Sequence, residues 1–165
     1  MGEHHGEGLC LCTVDEDGAL EEDEDGEPII HPECPLTGHS RMVSSAEFSH
    51  DGAQVISCAA GAGEVLVWDI VSGRRVRQLD GRAFALVEGL SDELKRGRHI
   101  LTANGSMLLI YECGKEQQHG EDGAVPVACF RAPQTIWSVQ CFGAAICVGC
   151  SEGAVCILSA PFLAA

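Results

Sequence analysis

Positive charge is what this chain has least of: ten Lys and Arg stand against 25 Asp and Glu, a formal net charge of −15. So acidic a surface repels nucleic-acid phosphates and anionic lipid, and it excludes both as expected main partners. Aromatic residues are almost as scarce, with five Phe, two Trp and one Tyr among 165 residues. Long apolar runs are missing too, and none approaches the ~20 residues of a membrane-spanning helix. The first residues are rich in His and Glu and carry no apolar stretch of the secretory kind, so a leader is not expected. Nor is there a nucleophile elbow, a phosphate-cradling glycine loop or a zinc-hydrolase helix. The expectation is therefore a non-enzyme, with no catalytic residue, no cofactor and no bound metal.

What is abundant is glycine, at 20 residues, and cysteine, at ten. Many glycines with few aromatics suit short strands and tight turns better than long helices. Without a secretory leader, the cysteines are expected as reduced thiols packed as small hydrophobes, in a cytoplasmic chain with nucleus and cilium equally open. The charge is uneven. Eleven of the 25 acidic residues fall within residues 3–27, and seven of the ten basic ones lie between Arg74 and Arg98.

Strand rhythm organises the rest. After Leu36-Thr37-Gly38-His39 come "MVSSAEFS", the turn "HDG", "AQVISCAA", the turn "GAG", "EVLVWD", the turn "VSG" and "RRVRQL". That is four strands in about 40 residues, each bounded by turn formers. The order restarts with "RAFALVEGL" (82–90), "RHILTA" (98–103), "SMLLIYE" (106–112) and "AVPVACF" (124–130), Tyr111-Glu112 standing where Trp68-Asp69 stood. A last round reads "TIWSVQCF" (135–142), "AAICVGC" (144–150) and "GAVCILS" (153–159). Upstream, "GLCLCTVD" (8–15) and "EPIIHPECPL" (27–36) read as a third and fourth strand without a first and second.

Residues 36–79 resemble a WD repeat: Gly38-His39, 28 intervening residues, Trp68-Asp69, and the middle "EFSHDGAQVISCA". The resemblance implies an all-β propeller of four-stranded blades. It also implies a structural network in which Trp68 ties His39 to Ser57, with Asp69 following. Residues 1–35 then become the end of a preceding blade with an acidic insertion at 15–27. Residues 80–130 and 131–165 become two degenerate repeats, with Arg82 and Pro133 where the family has its His. The family's usual Asp, six residues before the Trp, is Ala62 here, so the network around His39 is expected to be incomplete. Two full blades with a partial one at each end do not make the usual ring of about four to eight, so the chain is expected to be a piece of a larger propeller, or to be completed by blades from another chain.

Other constellations point less far. Cys141, Cys147, Cys150 and Cys156 contain a C-x-x-C, but on a strand Cys147 and Cys150 face opposite sides, which disfavours a shared zinc site. His4 and His5 with Cys10 and Cys12 read as incidental. The acidic stretch at 15–27 begins like a Ca²⁺ loop from Glu21, yet Pro32 occupies the place of the bidentate Glu. Arg41, Arg82 and Arg131 fall in or beside the loops that precede three successive first strands. They are the expected partner-binding residues, forming a basic arc for an acidic peptide. The resemblance implies a protein–protein interaction scaffold. The alternative it leaves open is the sensor portion of a larger multidomain protein, such as a nucleotide-binding regulatory ATPase.

Overall fold

The computed structural model describes residues 8–9, 24–26, 36–87, 99–112 and 124–160, and these are all-β, without an α-helix. The strands are β1 (Gly8–Leu9), β2 (Leu36–Thr37), β3 (Val43–Phe48), β4 (Gln54–Ala59), β5 (Glu64–Asp69), β6 (Arg75–Asp80) and β7 (Ala83–Val87). There follow β8 (His99–Asn104), β9 (Met107–Glu112), β10 (Ala128–Arg131), β11 (Ile136–Phe142), β12 (Ala145–Cys150) and β13 (Val155–Ser159). They build three antiparallel meanders: β3-β4-β5-β6, β7-β8-β9-β10 and the three-stranded β11-β12-β13, with β1 and β2 as a short separate pair. No helix among the described residues is long and apolar enough to cross a membrane.

Turn chemistry sets the registers. Asn104 pairs with Met107, so β8 and β9 are joined by Gly105-Ser106 alone. A two-residue hairpin needs a positive φ at its first position, and Gly105 supplies +59°. Alternation then decides which side chains are buried. On β4 and β5, Ile56, Cys58, Val65 and Val67 join Leu79 of β6 in an apolar layer against Ile100 and Tyr111 of the second sheet. The opposite face of the second sheet offers Ala85, Leu101, Leu108 and Ile110 to Val139, Ile146 and Val148 of the third. Behind the first sheet, Leu36 covers Val55, Leu66 and Trp68. The sheets thus pack face to face in succession, and among the described residues nothing covers the outer face of the third.

One strand expectation needs correction, and two others are only partly within the described residues. The fourth strand of the second sheet starts at Ala128 instead of residue 124. Pro126 has no N–H to give a ladder, and the ladder begins only when Val127 donates to the Ile110 carbonyl at 2.7 Å. Upstream, the expected strands at 8–15 and 27–36 are represented by Gly8–Leu9 and Leu36–Thr37, which pair with each other. The remainder of both stretches lies outside the described residues.

Candidate functional site

A strand can end on a buried indole only if the indole N–H finds an acceptor. Trp68 is 1% exposed, on β5 directly opposite Val55. Its Nε1–H donates to Ser57 Oγ at 2.7 Å. Ser57, itself fully buried, also meets His39 Nε2 at 2.7 Å, and His39 Nδ1 lies 3.2 Å from Glu64 Oε1. The indole N–H donates to the hydroxyl, and the two imidazole nitrogens meet the hydroxyl on one side and the carboxylate on the other. The same Glu64 oxygen accepts from the Ser40 N–H and hydroxyl, each at 3.0 Å. Partial burial pushes the Glu64 carboxyl up. The two Ser40 bonds, the His39 bond and the attraction of His39 more than offset this and hold it below its ordinary value.

The network around His39 is therefore complete, contrary to the expectation drawn from Ala62. Glu64 lies two residues further on, with the same strand parity and one more methylene, and it reaches the imidazole from the start of β5. Gly38 makes room for the arrangement. At φ +147° its position would set a Cβ 3.3 Å from the Trp68 ring. Asp69 does a separate job, accepting the Ser72 hydroxyl at 2.7 Å and its N–H at 2.8 Å to hold the turn. Those bonds, the hydroxyl first, keep its carboxyl below the usual range.

The second sheet repeats half of this network: Tyr111 stands where the strand rhythm places it, and Thr102 is the member the sequence did not single out. Tyr111 sits opposite Ile100, and Thr102 lies two residues beyond, as Trp68 sits opposite Val55 with Ser57 two beyond. Thr102 is fully buried, and its hydroxyl donates to the Asp80 carbonyl. The Tyr111 hydroxyl is in hydrogen-bonding contact with the Asp80 backbone and Thr102, while burial, then the Asp80 charge, push it above its ordinary value. Met107 occupies the strand position held by Glu64 in the first sheet. In the third sheet the equivalent positions are Leu158, opposite Ile146, and Val148, so nothing polar remains.

The three arginines do not converge. Arg41, Arg82 and Arg131 are each exposed, ahead of β3, ahead of β7 and at the end of β10. Only Arg82 lines the open cleft of about 270 Å³ formed where the first strands of the three sheets approach. Its other walls are Ser44, Ser45 and Cys58, then Ala83 and Phe84, and Trp137, Ser138 and Val139 from β11. The cleft has an internal tie. The Cys58 thiol donates to the Arg82 carbonyl at 3.6 Å and lies 3.1 Å from the Ser45 hydroxyl. Trp137 is 64% exposed, so the cleft combines an exposed indole with three serines and Arg82.

Cys147 and Cys150 do face opposite sides, one exposed and one buried. Cys129 is exposed as well, which corrects the expectation that the thiols are uniformly core residues. Burial, then the neighbouring Cys156, push the Cys150 thiol above its ordinary value. Among the described residues no three His, Cys, Asp or Glu side chains gather as metal ligands. Of the acidic stretch, only Glu24, Asp25 and Gly26 fall within the described residues, and they are exposed. His4, His5, Cys10 and Cys12 lie outside them. Compared with known proteins, the chain matches no protein-family model and no curated protein.

Proposed function

We propose that this chain is a segment of a WD-repeat propeller acting as a non-catalytic protein-interaction scaffold, and that its inner cleft takes an acidic segment of a partner protein. The blade reading is supported by two four-stranded meanders and one three-stranded meander stacked face to face, and by the Trp68–Ser57–His39–Glu64 chain in the first. The cleft carries the functional part. Arg82 presents five N–H donors in a planar fork matched to a carboxylate. Ser138 of β11 adds a hydroxyl, and Trp137 offers an apolar face for a side-chain stem. The role proposed for the arginines thus contracts to Arg82, with Arg41 and Arg131 outside the cleft.

Titration of the protein with a glutamate-rich hexapeptide, followed by Trp137 fluorescence, tests this reading. Trp68 is buried and serves as the unresponsive background. Saturable quenching is expected, weakening as salt rises, with little response to the glutamine counterpart. Arg82→Ala should weaken binding about tenfold or more, since a charge-assisted hydrogen bond contributes ~1.5–3 kcal/mol. Equal affinity for both peptides, or none for either, would sink the cleft reading.

A further inference from the structure

Among the described residues the third sheet ends on an open strand, and its hydrogen-bonding parity can be read from two bonds. Cys150 N–H donates to the Ala154 carbonyl and Ala160 N–H to the Ala144 carbonyl, both at 2.8 Å. In an antiparallel ladder successive residues point their main-chain groups to alternate sides. Residues 154, 156, 158 and 160 therefore face β12, and Val155, Ile157 and Ser159 direct their N–H and C=O groups away from it. Among the described residues no strand pairs with that side. The side chains at these positions also stand clear, with Val155 67% and Ile157 76% exposed on the face shared by exposed Cys147.

Edge strands are usually protected by charge, proline or a covering element. The outer strand of the first sheet follows that rule, because β6 carries Arg75, Arg77 and Asp80. In β13, "VCILS" has neither a charge nor a proline. In a chain of net charge −15, it is a place where a second copy can approach without like charges meeting across the ladder.

We infer that β13 is a dimerisation edge that pairs antiparallel with the β13 of a second copy, in a two-fold register centred on Ile157. That register pairs Ile157 with itself and Val155 with Ser159. It uses the outward main-chain groups of all three residues on each copy, and merges two three-stranded sheets into one of six. The contact is isologous and consumes both open edges, so assembly stops at two copies. The inference is independent of the cleft.

Sedimentation equilibrium of the full chain across a concentration series is the test. The mass should rise from 17.4 kDa toward twice that value. Ile157→Pro, which deletes an outward N–H, should leave a monomer at every concentration. Ile157→Lys guards against a folding defect. It changes an exposed side chain, keeps the backbone donor and sets like charges opposite each other, so it too should dissociate the dimer. Val71→Lys, at an 89% exposed position outside β13, should leave the dimer intact. A wild-type chain that stays monomeric, or a dimer that survives both Ile157 variants, overturns the inference. So does slow hydrogen exchange at the Val155, Ile157 and Ser159 amides of a monomer, because a strand of the same chain would then occupy the edge.

Discussion

The first and third sheets solve the same packing problem with different chemistry. At equivalent ladder positions the first has Trp68 and Ser57, tied through His39 to Glu64, where the third has Leu158 and Val148. Apolar burial is non-directional, and it rewards any arrangement that removes area from water. A relay of directional bonds rewards one arrangement and penalises every other, since each member stranded in the interior loses its partner. The second sheet falls between the two, with Tyr111 and Thr102 closing on the Asp80 backbone. The comparison shows that a repeated strand pattern can persist while the device that specifies it is reduced step by step.

The largest disruption of this contrast is expected from Trp68→Ala. Removing a fully buried indole leaves a cavity and takes away the Ser57 partner, which should cost about 3–5 kcal/mol in urea unfolding. Leu158→Ala, at a half-buried site without polar partners, should cost clearly less; equal losses would mean the two sheets are held alike.

Ser57→Ala comes next. It keeps nearly all the apolar packing but strands the indole N–H, at about 1–3 kcal/mol. An unchanged unfolding midpoint would show that the relay does not distinguish the first sheet.

The smallest effect is a pH dependence. Glu64 has a depressed folded value, so its contribution is fully present above the unfolded carboxylate range near ~4.3 and fades as pH falls through the lower folded value. Wild-type stability should therefore drop on acidification across that window, and Glu64→Gln should show a shallower acid limb. Parallel acid limbs for the two proteins would remove Glu64 from the relay.

Most of the strand layout was legible because two local signals agree along the chain: alternation of period two, and Gly, Asp or Ser at the turns. It failed at residues 124–127, where apolar alternation continues through Pro126 but the ladder cannot. Trp68, His39 and Ser57 were legible only through the resemblance to a WD repeat, whereas Glu64 was not, because the family's carboxylate position is Ala62 here and Glu64 is the next residue of the same parity. Thr102 was passed over because a threonine in "RHILTA" reads as ordinary strand composition. Only its register opposite Leu109, beside the Tyr111 pairing, marks it. The cleft was beyond reach for a different reason. Residues 44–45, 58, 82–84 and 137–139 come from three sheets, and no linear pattern joins them.

The position of Ser57 in its relay has a consequence for how such a repeat can decay by substitution. Glu64 forms the outer end, where its carboxylate keeps some access to water, while the His39 side chain is fully buried. Ser57 and Trp68 form the inner half, where water does not reach. Replacements are tolerated from the outside inward: the partly exposed carboxylate can go first, and the buried hydroxyl only together with the indole. The second sheet, with a buried hydroxyl and an aromatic but Met107 in place of the carboxylate, has the composition of a repeat halted midway along that route, and the third has that of one that has reached its end.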